Sequence, residues 1–146
     1  RLVDRGQDGW PDYRANHEMA RPGERYPLAM ISPPARNFLN SSFVNVKSLR
    51  DMEGEPLLEM HADDARERQL VDGQPVRVFN DRGEYHCRLS ISPRARPGVV
   101  NGLGIWWRKM GLNGTNVNQL TSQRLTDLGG GPVFYDCAVE VSGLAA

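Results

Sequence analysis

The sequence predicts a small β-barrel with helical connections, and three observations predict it. Gly 15 and Pro 10 make 25 of 146 residues, about 17% against an ordinary ~12%, so the chain is rich in turns. Short apolar runs bounded by Pro, Gly or Asp recur along it, as short strands require. Only one stretch carries the charge order of a helix. Together these give five or six short strands and one clear helix, a pattern of small barrels rather than of helix bundles.

The elements follow in order. Tyr26 to Ile31 is an apolar run closed by Ser32-Pro33-Pro34, a buried strand ended where proline cannot donate to a ladder. The stretch from Ala35 to Glu55 is rich in Asn and Ser, which bond locally to backbone and favour loops and short helices. Leu57 to Met60 is a short strand. From His61 to Leu70, Asp63 and Asp64 come early and Arg66 and Arg68 late, matching the helix dipole, and Asp72-Gly73 stops the helix. Gln74 to Asn80 alternates, with Val76 and Val78 on one face. Asp81-Arg82-Gly83 reads as a hairpin turn with Gly83 where a positive φ is needed. The return strand puts Tyr85, Cys87, Leu89 and Ile91 on one face and His86, Arg88 and Ser90 on the other. Val99-Val100 is a short strand, Asn101 to Asn118 a long loop with Trp106-Trp107, Gly129 to Pro132 a flexible or tightly turning stretch, and Ala138 to Val141 the closing strand.

Several function classes drop out. Lys+Arg 18 balances Asp+Glu 18, so no broad basic field suits nucleic acid. No apolar run approaches the ~18 residues of a membrane span, so no membrane contact is expected. Walker and Rossmann glycine patterns are absent. His17, His61 and His86 form no ligand or triad pattern and read as surface or capping residues. Cys87 and Cys137 lack ligand spacing and read as small core residues. No catalytic or metal-ligating residue is expected.

Charge position says more than charge total. From Tyr85 to Thr126 there is no Asp or Glu, while Arg88, Arg94, Arg96, Arg108, Lys109 and Arg124 make the segment +6 and the rest −6. Glycines in it permit close backbone approach, guanidinium and amide groups bind phosphate, and tryptophans offer stacking faces. This predicts a site for a large anionic, ring-bearing ligand of nucleotide type; the competing reading is an exposed loop whose charges pair elsewhere.

Four segments in order are SPPARNFLNSSFVN, EMHADDARERQLVDGQPVRVFNDRGE, PGVVNGLGIWW and NVNQLTSQRLTDLGGGPVFYDCAVEV. This arrangement resembles the C-terminal domain of bacterial molybdopterin oxidoreductases, the dimethyl-sulfoxide-reductase superfamily of formate dehydrogenases, nitrate reductases and S- or N-oxide reductases. The resemblance implies a mainly β double-psi barrel with short helices. It implies molybdopterin guanine dinucleotide, normally two copies around molybdenum or tungsten. It also implies that the metal ligand and any Fe–S cluster lie in other domains, so the chain alone should not turn over. Carried onto this sequence, the first contact segment is Ser32 to Phe43, with Ser32 and Arg36 in it and Asn40, Ser41 and Ser42 standing where the family often has a His-Ser group. Asn45 follows just beyond. Asn118 matches the Asn of N-x-L-T that contacts the pterin. Trp106 and Trp107 resemble an aromatic pair near the pterin, and Tyr135 stands where several relatives have a cofactor-binding Lys. Arg124 is added on chemical grounds as a source of positive charge.

The chain begins at Arg1 rather than Met. Residues 1–25, charged and broken by Pro11, Pro22 and Gly23, read as an extended linker from an upstream domain, and residues 26–146 as the cofactor-binding barrel. The expected partners are upstream domains of the same polypeptide and an iron–sulfur electron-transfer subunit, with the cytoplasm as compartment unless a longer protein carries an export signal. The alternative is a stand-alone double-psi barrel serving as a binding or interaction module. A pyruvoyl-type decarboxylase barrel would need a Gly-Ser dipeptide, and none occurs.

Overall fold

Short segments whose residues alternate between buried and less buried positions form the strands, and the computed structural model shows how they close. It describes residues 3–6, 8–10, 12–13 and 15–144. Six strands are present: β1 Leu28–Ile31, β2 Leu57–Met60, β3 Pro75–Asn80, β4 Gly83–Ile91, β5 Val99–Gly102 and β6 Ala138–Gly143. Two α-helices, α1 Lys47–Glu53 and α2 Ala62–Glu67, and several single 3-10 turns connect them. The strands form a closed barrel in the order β1-β5-β2-β4-β3-β6. Two pairs are parallel, β1 with β5 and β2 with β4; the other four are antiparallel. This is the double-psi arrangement, mainly β with short helices. Closure leaves no unpaired sheet edge.

The register places several strand ends at one rim. Ile31, the last residue of β1, lies beside Asn101 of β5, and Ala29 lies beside Ala138, the first residue of β6. Phe79, near the end of β3, lies beside Glu140. The segments after β1 and β5, the β3–β4 turn and the approach to β6 therefore share that rim.

The barrel is filled by inward-facing residues such as Leu28, Met30, Leu58, Met60, Val76, Val78 and Val139. A second, smaller core sits outside it. Ala35, Phe38, Val44 and Trp106 are buried together, with Leu49, Trp107 and Met110 against them. Phe38 and Trp106 meet edge to face, centroids 5.1 Å apart. Gly104, two residues beyond β5, lies close against this small core: its φ is +73°, and a Cβ there would lie 3.0 Å from the Cβ of Ala35.

Three expectations need correction. Gly83 is not in a positive-φ conformation. It pairs with Asn80 across a two-residue turn, and its lack of a side chain serves close packing, since a Cβ would lie 3.1 Å from the carbonyl oxygen of Gln119. His86 is buried rather than exposed. The 3-10 turn at Leu112–Gly114 packs on the outer face of β4, where the Thr115 hydroxyl accepts from His86 N–H at 3.0 Å and the ring Nε2 lies 3.0 Å from Glu84. The segment from Asn101 to Asn118 is not one long loop. It continues β5 to Gly102 and then makes three 3-10 turns. His61 behaves as a capping histidine, its Nδ1 accepting from Asp63 N–H at 3.2 Å.

Candidate functional site

The rim carries a cavity of about 390 Å³ between the segments that follow β1 and β5, the turn at Val117–Gln119 and the approach to β6. Ser32, Asn40, Asn118 and Tyr135 line it, with Pro34, Ile105, Thr121 and Phe134. Four residues expected at the site from sequence, drawn from three distant segments, therefore meet in one cavity. No lining residue carries a full charge.

The small core holds the first wall. Phe38 and Val44 are buried on either side of an exposed tip, residues 39–43. Within the tip, Leu39 and Ser42 pair backbone to backbone. Asn40 has φ +53°, which asparagine tolerates well, and Phe43 has φ +74°, rare for a bulky side chain. Two outside donors fix this shape: Ile105 N–H reaches the Asn40 carbonyl at 3.4 Å, and the Trp107 indole N–H reaches the Ser41 carbonyl at 2.7 Å.

A capping box builds the second wall. The Asn116 side chain accepts from Asn118 N–H at 3.2 Å, while the Gln119 side chain accepts from Asn116 N–H at 3.1 Å. The Asn116 amide also donates to the Trp106 carbonyl at 3.1 Å. Asn118 is exposed, and no described residue takes up its side-chain amide, which leaves both its donors and its acceptor for a ligand. Beyond the turn, Thr121 donates to the Asn118 carbonyl at 3.1 Å. Phe134 and Tyr135 form an edge-to-face pair, centroids 4.5 Å apart, each about half exposed.

The remaining expected residues fall outside the cavity lining. Arg36, Ser41, Ser42 and Asn45 are exposed on the segment after β1. The two tryptophans divide: Trp106 is a core residue, whereas Trp107 is partly exposed, anchors Ser41 and carries the Lys109 ammonium 5.1 Å from its ring centroid. Trp106 therefore offers no stacking face to a ligand. Arg124 does not reach the cavity; its guanidinium lies 3.3 Å from His17 Nδ1.

The six cations of the acid-free segment do not gather here either. Arg88 pairs with Glu55 at 2.5 Å and Arg108 donates to the Gly114 carbonyl at 2.8 Å. They ride on strands and turns at different places around the barrel. Ile105, Thr121 and Phe134 were not expected at the site. Thr121 is the Thr of the N-x-L-T string that Asn118 opens, and Phe134 directly precedes Tyr135; these positions are the signals that could have found them.

The cysteines are inert by environment. Cys87 and Cys137 are free and buried. Burial pushes the Cys87 thiol well above its ordinary range and lifts Cys137 to about 11 against the opposing pull of Arg82. Among the described residues there is no cluster of His, Cys, Asp and Glu able to hold a metal ion.

Four matches to known proteins place the chain. Residues 28–138 match the family model described as "Molydopterin dinucleotide binding domain". The chain is 36% identical over 135 residues to "Probable oxidoreductase YoaE" of Bacillus subtilis, covering 92% of this chain and 20% of that protein. It is 34% identical over 127 residues to dimethyl sulfoxide reductase DmsA of Escherichia coli, covering 81% of this chain and 15% of that protein. The chain thus spans a fifth or less of these relatives. The solved structure of acetylene hydratase from Pelobacter acetylenicus superposes with a TM-score of 0.83 at 18% identity, covering 98% of this chain and 22% of that one.

Proposed function

Because this chain belongs to the molybdopterin dinucleotide-binding domain family of the dimethyl-sulfoxide-reductase superfamily, we propose that it binds molybdopterin guanine dinucleotide at the rim cavity, as one domain of a molybdenum or tungsten oxidoreductase. The observation that carries this is the meeting of Ser32, Asn40, Asn118 and Tyr135 around one cavity of about 390 Å³.

The residues present suit the heterocyclic parts of the ligand. Pterin and guanine edges carry adjacent donors and acceptors, and an asparagine amide offers both. The Asn118 amide is available, the Ser32 hydroxyl gives either role, and the Thr121 hydroxyl, whose hydrogen goes to the Asn118 carbonyl, is left to accept. Phe134 and Tyr135 offer aromatic faces beside these groups. The uncharged lining fits a base or pterin better than a diphosphate. We assign the diphosphate to the flank of the cavity, where Arg36 and Lys109 sit on its bordering segments.

When bound, the cofactor supplies the redox chemistry at its metal. This chain's residues bind and orient it. The Trp107 and Ile105 N–H groups hold the Asn40 wall, and the capping box holds the Asn118 wall, through bonds made within the chain itself. The metal ligand, any Fe–S cluster and the substrate funnel are assigned to other domains, an iron–sulfur subunit to electron delivery, and residues 1–25 to the connection with an upstream domain. The two free buried thiols suit a reducing compartment such as the cytoplasm.

The test is anaerobic calorimetric titration of the chain with molybdopterin guanine dinucleotide. Binding that weakens at least ten-fold in Asn118→Ala, and is unchanged in Arg66→Ala on α2, supports the assignment. Equal affinity in parent and Asn118→Ala contradicts it.

A further inference from the structure

The wall that carries Asn118 is held from behind as well as from the cavity side. Three donors converge on one buried carbonyl, that of Leu120, which directly follows the turn. Arg82 Nε lies 2.7 Å from it, the Asn80 amide 2.9 Å and the Cys137 thiol 3.2 Å. Gly83 lies against the neighbouring Gln119 carbonyl so closely that a Cβ there would sit 3.1 Å from its oxygen. The β3–β4 hairpin therefore sits behind the Asn118 turn.

Arg82 has a second engagement. Its two terminal nitrogens face the carboxylate of Glu18, Nη1 on Oε1 and Nη2 on Oε2 at 3.0 Å. Oε2 also accepts from Ala138 N–H, the first residue of β6, at 2.9 Å. Glu18 lies in the segment preceding the barrel, 64 residues from Arg82 and 120 from Ala138 in sequence. One planar guanidinium thus bridges the N-terminal segment to the back of the Asn118 turn. The guanidinium does this with donors spread over a rigid plane, Nε on one side and the two Nη on the other, whereas an ammonium's three donors leave one atom and do not reproduce that span.

We propose that Arg82 is a positioning residue for the dinucleotide site and that Glu18 is its latch, so that seating of the N-terminal segment on the barrel is coupled to the geometry of Asn118. The link to the cofactor rests on the function proposed above; the mechanical coupling does not. Glu18 is thereby part of the binding apparatus, although it lies outside the family match at residues 28–138.

The coupling is read by amide hydrogen exchange without ligand. Gln119 N–H bonds to the Asn116 carbonyl and Leu120 N–H to that of Val117. In Glu18→Ala and Arg82→Gln these two amides exchange at least ten-fold faster, while the Leu89 amide, bonded to Gln74, is unchanged. Dinucleotide affinity falls three- to ten-fold in each variant, and the double variant stays within two-fold of Arg82→Gln alone because both act on one path. Arg82→Lys keeps the charge yet fails to restore either readout. Unchanged exchange in Glu18→Ala overturns the coupling, as does full rescue by Arg82→Lys. Faster exchange with unchanged affinity in a parent that binds overturns the positioning role. A parent that binds no dinucleotide overturns the function proposed above, and exchange at Gln119 still decides the coupling. Should Arg82→Gln not fold, the partly exposed Glu18→Ala carries the same test.

Discussion

The indole N–H of Trp107 donates to the carbonyl oxygen of Ser41 at 2.7 Å, across 66 residues of sequence. That bond ties the segment after β5 to the tip after β1, where Asn40 and Phe43 both hold positive φ. Strained backbone persists only when its surroundings over-determine it, and here the surroundings are two N–H donors and a small apolar core.

Trp107→Phe removes the donor and keeps a ring. The bond is solvent-exposed, so its loss costs about 1 kcal/mol of stability or less by denaturant titration. Dinucleotide affinity falls several-fold more than stability does, because the Asn40 wall loses its tether. Equal affinity in Trp107→Phe and parent would separate this tether from binding.

Trp106→Ala behaves oppositely. Trp106 is 3% exposed and packs on Phe38. Truncation empties the small core and costs about 3–5 kcal/mol. Thermal melting reads this, with Trp107→Phe as the mild comparison. A loss under about 1 kcal/mol would show that the small core does not support the rim.

Gly104→Ala and Gly73→Ala separate strain from crowding. Both glycines have positive φ, +73° and +77°, so each change costs about 1 kcal/mol from backbone strain. At Gly73 nothing lies within 4 Å of a new Cβ, whereas at Gly104 the Ala35 Cβ lies at 3.0 Å and the Phe38 ring at 3.4 Å. Gly104→Ala is therefore the more destabilising by about 1–2 kcal/mol. Equal melting temperatures for the two variants would refute the crowding.

Most strands were legible in the sequence because their pattern is local. Leu57 to Met60 and the Val76/Val78 alternation report burial residue by residue. The cavity was legible only in part. Ser32, Asn40, Asn118 and Tyr135 stand in motifs, and the register of β1, β5 and β6 brings those motifs to one rim. What was not legible depends on contacts between distant segments. Gly83 looks like a turn glycine until Gln119 is seen against it. His86 looks exposed until the turns after β5 fold over β4. Adjacent Trp106 and Trp107 read as a pair, yet one points into a core and the other along the surface. The +6 of the acid-free segment is real as a sum, and it disperses because the segment winds around a closed barrel.

Acid should weaken the Glu18 latch. Burial opposes the Glu18 carboxylate, but hydrogen bonds from Arg82 and Ala138 N–H, with the Arg82 charge, outweigh it and hold its pKa below the ordinary 4.5. A depressed carboxylate stabilises the fold fully above the unfolded value and loses that contribution as pH falls through the folded one. The stability difference between parent and Glu18→Gln is therefore constant above pH 4.5 and shrinks below it. A difference that grows on acidification would contradict the latch.

Cys137 gives the alkaline counterpart. Its thiol is raised from 9.0 to about 11, chiefly by burial. The protonated thiol stabilises the fold fully below pH 9, and this contribution fades as pH rises from 9 to 11. At pH 8 neither Cys137 nor Cys87 should react with a thiol reagent until the chain unfolds, and both should then react. Labelling of either cysteine in the folded chain at that pH would show the barrel to be open.

The most direct test of the central claim is the dissociation constant of molybdopterin guanine dinucleotide, measured anaerobically for the parent chain, Asn118→Ala and Tyr135→Ala. Saturable binding that weakens at least ten-fold in Asn118→Ala and measurably in Tyr135→Ala is the expected result. Binding that ignores both substitutions would place the dinucleotide elsewhere and contradict the assignment of the rim cavity.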